Sequence, residues 1–358
     1  MNKDKNFFIY SLEGLTESKG QDNYSNFEFD IEGKNIKVIG LYNGHGSQGK
    51  LCSKYVSEAI NKLILDNKNE FRNLESKDNS KDFITKIFVD GFRNIQKGME
   101  KLENAPFELS GSTATIALII NNSVCYIINL GDNCAIIGRK VDGKNFSTQL
   151  SSIHDISKNK EELERIKKMG GEVRSSKNGS IMRIFKKDDH FYPGLCVSRT
   201  LGDVFSHDII SDEPEVNFHN LDKKDDFIIL GTDAFWEYMN SQEIVDFIYT
   251  KINENSEQAK NIAEEVVKEC EKNWIKMNKS KDIKIFEEIK NDPNLDREKK
   301  NKKVKDFIEV LESFASADPN YKKLTDIPSI DKINPDEIFH GKHNISDITS
   351  IIYFFEKN

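Results

Sequence analysis

Apolar positions along this chain recur at two periods, and the switches between them mark its elements. Residues 7–10 and 27–31 read as short strands, and NIKVIGLY (35–42) alternates as a buried strand does. Beyond it Cys52, Val56, Ala59, Ile60 and Leu63 fall at helical spacing. A second helix over about 82–103 gathers Ile84, Ile87, Phe88, Phe92, Ile95 and Met99 on one face. Stripes of this kind are core, not ligand boxes.

Strands then take over. STATIALII (112–120) and SVCYIINL (123–130) meet at Asn121-Asn122, a hairpin signal, and a strand resumes over 133–139 after the turn at Gly131-Asp132. KEELERIKKMGG (160–171) is a short charged helix stopped by two glycines. Residues 194–199 read as a strand, and 226–235 as another running into an acidic turn. Amphipathic helices follow over 241–252 and 256–274, and ITSIIYFF (348–355) is β-branched and aromatic enough for a last strand. Strand runs and helix runs are segregated. This predicts an α+β layered domain with antiparallel sheets rather than a doubly wound parallel one. Residues 275–342 break the pattern: polar, lysine-rich, most basic at REKKNKKVK (297–305), helical over FIEVLESF (307–314) and loop elsewhere. They read as a long insertion in a single domain spanning 1–358. Their charge run suits a solvated helix face or a docking surface for an acidic partner.

Composition narrows the classes. The 358 residues are 37% hydrophobic and 31% charged, enough for a substantial core under a solvated surface. A net charge of −8 argues against nucleic acid as the main partner, because phosphate backbones want a basic face. Cys52, Cys125, Cys134, Cys196 and Cys270 form no CxxC pair and sit mostly in apolar runs, the usage of free thiols in a reducing compartment. The first residues lack the apolar region of a signal peptide, and no stretch is long and apolar enough to span a membrane. A cytoplasmic location is the expectation.

Acidic or polar residues recur at the ends of apolar strands: Asp22, Asn43 with Gly44-His45, Asp132, Asp203 and Asp233. A strand end lets a rigid sheet present a side chain to a shared pocket, and hard divalent cations need oxygen ligands so arranged. One Gly-Asp turn is ordinary turn chemistry. Five along one chain suggest a shared acidic site.

The order and content of these segments resemble the metal-dependent type 2C (PPM-type) serine/threonine protein phosphatases. The matching stretches include QDNYSNF (21–27), GLYNGHGSQG (40–49), SGSTATIALI (110–119), NLGDNCAIIGR (129–139), LCVSRTLGD (195–203), ILGTDAFWEYMNSQEIVDFI (229–248) and SDITSIIYFF (346–355). The resemblance covers about 7–274 plus 343–355. It implies a β-sandwich of two mainly antiparallel sheets flanked by helices, with a two-metal cleft at one end where a bridging hydroxide attacks a phosphoserine or phosphothreonine. Carried over residue by residue, it makes Asp22, the Gly44 carbonyl, Asp132, Asp233 and Glu237 retained metal-site positions. Glu237 stands for an aspartate and Ala234 for a glycine. His45 is the general-acid position, and Asp203 matches a further acidic turn.

Two departures matter. Asn43 stands where the family's bridging aspartate belongs, and its single neutral carbonyl oxygen cannot bridge two cations. The C-terminal ligand aspartate falls on Ser346, or on His343 in a shifted register. Asp347 is one residue off and, on a strand, should point elsewhere. The family's phosphate-gripping arginine, expected shortly before Asp22, is missing; Glu17 and Lys19 stand there. The expectation is a degenerate centre: a pseudophosphatase acting as a protein-binding scaffold or regulatory subunit, with no cofactor or one weakly bound Mg²⁺ or Mn²⁺. Its partners would be proteins, in a larger assembly, and neither nucleic acid nor membrane. The alternative is a weakly active Mg/Mn-dependent phosphatase acting on phosphoproteins through Asp22, Asp132, Asp233 and Glu237.

Overall fold

The computed structural model describes residues 6–13, 20–74, 78–175, 182–189, 192–254, 261–315, 329–335 and 347–356. Two five-stranded sheets form its centre. One runs β14-β7-β6-β3-β2, from β2 (Asn23–Ile31), β3 (Lys34–Tyr42), β6 (Ala114–Ile120), β7 (Val124–Leu130) and β14 (Glu215–Asn220). The other runs β1-β16-β15-β8-β9, from β1 (Phe7–Leu12), β8 (Cys134–Val141), β9 (Lys144–Gln149), β15 (Asp225–Gly231) and β16 (Ile348–Phe354). Every neighbouring pair in both sheets is antiparallel. The chain is therefore an α+β sandwich, as the segregated runs imply.

The period-2 pattern decides the layers. In β3, Ile36, Val38 and Tyr42 face the helices α1 (Gly49–Asp66) and α2 (Asp78–Met99), while Ile39 and Leu41 face the second sheet. The layer between the sheets is filled by Ile39, Ala117, Ile119 and Ile127 from one side and Ile137, Ile228, Leu230 and Ile351 from the other. Each such side chain contributes about 1.5–3 kcal/mol by leaving water. The outer face of the second sheet carries α4 (Asp233–Glu237), α5 (Ser241–Glu254) and the start of α6 (Ile262–Asn291), packed through Phe227, Ile229, Ile244, Ile248, Val266 and Trp274. Strands β6 and β7 are covered on both faces and buried throughout, which is why they read as unbroken apolar runs.

Smaller elements surround one end of the sandwich. β4 (Gly44–His45), β5 (Gly111–Ser112) and β13 (Leu201–Gly202) form a short sheet. After the charged helix α3 (Lys160–Lys168), β10 (Glu172–Ser175), β11 (Met182–Phe185) and β12 (Pro193–Leu195) make an antiparallel flap. The strand expected over 194–199 is only Pro193–Leu195, followed by a single bridge between Val197 and Asp155.

The helix expected to end at 274 runs on to Asn291. Its apolar stripe changes partner instead of stopping: Ile262 to Trp274 pack on the sheet, and Phe286 packs with Val304 and Ile308 of α7 (Arg297–Ala315) and with Ile330 and Ile333. The first part of the polar segment is thus a helical hairpin with its own small core. All five cysteines are free; four are buried and Cys196 is half-buried. Among the described residues no helix is long and apolar enough to cross a membrane.

Candidate functional site

Strand ends from both sheets converge on one cleft of about 270 Å³, lined by Asn43, Gly44, His45, Asp132, Asp233 and Asp347 among others. Each is placed by its element. Asn43 follows β3; its N–H donates to Thr113 Oγ1 at 3.3 Å and its carbonyl accepts from Thr113 N at 3.0 Å. Gly44 follows at a position where a Cβ would lie 2.2 Å from the Gly49 carbonyl oxygen, so only glycine lets α1 start this close to the turn. Asp132 follows β7. The N–H of Gly131 before it donates to His154 Nδ1 at 3.0 Å, and His154 is fully buried. Asp233 opens α4 after Thr232, whose hydroxyl accepts from Thr349 N at 3.2 Å.

The chemistry of the cleft is set by close contacts. Asn43 Nδ2 donates to Asp233 Oδ1 at 3.1 Å. His45 Nε2 lies 2.7 Å from Asp203 Oδ2, which also accepts from Thr200 Oγ1 at 2.7 Å. A Cβ on Gly111 would meet Asp203 Oδ2 at 2.1 Å and His45 Nε2 at 2.6 Å, so that glycine makes room for the pair. Burial works to lower the His45 pKa, but the charge and hydrogen bond of Asp203, with Asp132 and Asp233 beyond, outweigh it and the net shift is upward. His45 is therefore held at the cleft by Asp203. The carboxyls of Asp132 and Asp233 are both raised, first by the protein massed around them; for Asp132 the Asp233 charge adds to this. Asp233 nonetheless keeps contact with water in the cleft.

The other candidate positions separate. Asp22 faces a neighbouring cavity beside Tyr10, Ser11 and Thr349 rather than this cleft. Thr349 Oγ1 donates to its Oδ2 at 2.5 Å, while Oδ1 is buried without a hydrogen-bond partner. Burial, against the Thr349 hydrogen bond and aided by Asp347 and Asp233, pushes Asp22 up to about 8. Glu237 ends α4 on the exposed surface and does not line the cleft. Ser346 and His343 lie outside the described residues, as do Glu17 and Lys19.

Asp347 corrects the expectation from strand alternation. It precedes β16 and is not bound by its pleat. It lines the cleft, and its carboxylate accepts from Gly20 N at 3.0 Å and Gln21 N at 2.8 Å. A second residue escaped the sequence altogether. Arg183 on β11 lines the same cleft from the flap. The MRIF alternation could have signalled a strand, with Arg183 on the face opposite Met182 and Ile184, but nothing local says which cavity that face meets.

These donors suit one cation poorly and two cations not at all. Crowded, raised carboxylates at Asp132 and Asp233 are what a cation relieves. Against this, Asn43 holds one Asp233 oxygen in a hydrogen bond, and among the described residues no three His, Cys, Asp or Glu side chains stand close enough to share an ion.

Residues 19–278 match the family model described as Protein phosphatase 2C. A probable protein phosphatase 2C 72 of Arabidopsis thaliana is 30% identical over 262 residues, covering 71% of this chain and 76% of its own. The protein phosphatase 2C homolog 2 of Schizosaccharomyces pombe is 27% identical over 220 residues, 59% of this chain and 51% of its own. Among solved structures, a serine-threonine phosphatase 2C from Toxoplasma gondii superposes with a TM-score of 0.64 at 15% identity, covering 98% of this chain and 94% of its own, a likeness of fold. The family model spans well over half of the chain and the relative at 30% identity agrees with it: the chain belongs to the protein phosphatase 2C family.

Proposed function

We propose that this chain is a pseudophosphatase: a phosphatase-fold protein that binds other proteins, in the cytoplasm, and does not hydrolyse phosphoesters with two metals. One observation carries the reading. Where the family places an aspartate that touches both ions, Asn43 donates a hydrogen bond to Asp233 at 3.1 Å. An amide there supplies no anionic oxygen to offset the repulsion between two divalent ions, and it ties up an oxygen of the carboxylate that remains. We further propose that residues 1–358 act as one domain, with the polar segment at about 275–342 as an insertion that offers a protein-docking surface.

The second reading is a weak Mg²⁺- or Mn²⁺-dependent serine/threonine phosphatase. It is favoured by the intact His45–Asp203 pair at 2.7 Å and by the two raised carboxylates beside it. Asp132 and Asp233 would then hold a single ion, which would polarise a bound phosphoester.

The deciding assay uses the purified full-length chain with Mn²⁺ or Mg²⁺, on a small aryl phosphate and on a phosphothreonine peptide. The pseudophosphatase reading expects no turnover above buffer. Metal-dependent turnover that Asp233→Ala abolishes would overturn it and establish the second reading.

A further inference from the structure

We infer that His207 is a pH-released staple. As the imidazolium it ties residues 203–212 to the end of α2, and loss of its proton frees the segment that holds Asp203 against His45. This is a regulatory device outside the cleft, and it holds whether the cleft binds or hydrolyses. The connection to the cleft is short: Asp203 Oδ2 lies 2.7 Å from His45 Nε2, and His207 stands four residues further along the same segment.

The end of α2 grips this segment at two points. Gln96, fully buried, donates through Nε2 to the Gly202 carbonyl at 3.1 Å and accepts from Gly202 N at 2.9 Å. Glu100 stands four residues on, and so one turn along the same face. Its N–H donates to the Gln96 carbonyl at 3.0 Å, which continues the last helical turn, and its Oε1 lies 3.1 Å from His207 Nδ1. The Gln96 grip is neutral and indifferent to pH; the Glu100 grip depends on a proton. Between them Asp203 is held at a φ of 43°, a left-handed backbone that a non-glycine residue keeps only under constraint. The constraint is a row of backbone bonds: Asp203 N to Ser110 O at 2.9 Å, Val204 N to Phe107 O at 3.1 Å and Phe205 N to Glu108 O at 3.0 Å.

The geometry of the ring selects its charged form. Nε2 lies 3.6 Å from Asp212 Oδ2, a buried oxygen that accepts no hydrogen bond, so each ring nitrogen faces a carboxylate. An imidazolium presents an N–H to both. A neutral imidazole presents one N–H and one lone pair, which would leave a carboxylate facing the lone pair. The acidic groups acting on the ring are Asp212 and Asp208 of its own segment and Glu100 at the end of α2. Asp208 is also paired with Lys186, after β11, at 2.9 Å, and Arg93 of α2 acts on Asp212. Asp212 first, with Glu100 and Asp208, outweighs burial and raises the His207 pKa above its usual 6.5. A histidine raised on folding lends its stability below the unfolded value and loses it as pH rises through the folded one. The staple is therefore closed on the acid side and opens towards alkaline pH.

The test is NMR on the full chain in EDTA, following histidine ring titration and amide hydrogen exchange from about pH 5.5 to about pH 9. His207 is expected to titrate above 6.5, and the His45 ring signal to move over the same range. Protection of the Asp203, Val204 and Phe205 amides, corrected for intrinsic exchange, should fall across that range, tenfold for each unit by which the measured His207 pKa exceeds 6.5. The Gly202 amide, held by Gln96, should keep its protection and serves as the internal control. His207→Gln should remove the pH dependence at the three amides. Glu100→Gln keeps the histidine and the helical turn, and should lower the His207 pKa and shift the loss of protection down with it. A His207 pKa at or below 6.5 overturns the inference. So does a loss of protection with pH that is the same in His207→Gln as in the wild type.

Discussion

Restoring the aspartate at position 43 tests how the cleft is balanced. Asn43→Asp replaces the Nδ2 that donates to Asp233 Oδ1 at 3.1 Å with a carboxylate oxygen. A hydrogen bond to a charged acceptor is lost, worth about 1.5–3 kcal/mol. Two like charges then stand roughly 4 Å apart, which costs about 4 kcal/mol at an effective dielectric of about 20. The protein will not bear that sum, because it can bind a proton instead. Keeping a carboxyl of ordinary pKa about 4 neutral at pH 7 costs about 4 kcal/mol, and the shared proton restores a hydrogen bond. Since Asp233 is already raised in the parent, the true cost lies below that ceiling.

The sign with pH follows. The variant's native state holds an extra proton, so its deficit grows as pH rises and shrinks by about 1.4 kcal/mol for each unit it falls. Thermal melting in EDTA between about pH 5 and pH 8 should show a variant roughly 5–10 °C less stable at the upper end and close to the parent at the lower. Millimolar Mn²⁺ should then rescue the variant more than the parent, by about 2.7 kcal/mol at a hundredfold excess over its Kd. A variant as stable as the parent in EDTA at high pH, or a deficit independent of pH, would refute the reasoning.

Three further outcomes follow from other groups. Glu162 is buried and bonded to Arg165 at 2.9 Å, Arg199 at 2.6 Å and Ser198 at 2.5 Å; Glu162→Gln leaves both guanidinium groups without their anion and should cost about 3–5 kcal/mol in urea unfolding. Asp203→Asn removes the carboxylate that outweighs burial at His45, so the imidazole pKa, followed by NMR titration, should fall. Asp282 is raised from 3.8 to about 6 by burial, against the pull of Lys281. An acid raised on folding stabilises the fold below its unfolded pKa, and that contribution is lost as pH rises through about 6. Asp282→Asn should therefore flatten the melting temperature between about pH 4 and 6 and exceed the parent above it.

The elements legible in the sequence are those whose burial is two-sided or strongly periodic. ATIALII and VCYIINL become β6 and β7 because nothing polar can sit on a strand covered on both faces. The stripe Ile84, Phe88, Phe92 becomes α2 against the same sheet. The elements that escaped are the ones tertiary pairing makes. β9, KNFSTQ, is a polar edge strand that pairs with β8 and is hydrogen-bonded to α5 through Asn145 and Ser147. β10 and β11 are four residues each and exist through pairing with one another. The overrun of α6 past residue 274 escaped because its second apolar stripe is sparse and waits for α7 to cover it.

The same division runs through the site. Asn43, Gly44, His45, Asp132 and Asp233 are legible because each ends a readable strand or starts the turn after it, so the fold carries them to one edge. Asp22 shares that signal, yet its carboxylate accepts from Thr349 and faces the cavity that Ser11 also lines. Strand alternation misleads at Asp347 because it stands one residue before the strand begins; its carboxylate accepts from the N–H groups of Gly20 and Gln21. Arg183 had no signal, since a cation in a short flap strand acquires meaning only from the cavity it faces. Position 43 joins the two cases. Its amide is plain in the sequence, but whether it is a tolerated variation depends on a partner 190 residues away. With Asp233 as that partner, the amide is more than a missing ligand. It satisfies one oxygen of the Asp233 carboxylate, and so ties the turn after β3 to the start of α4.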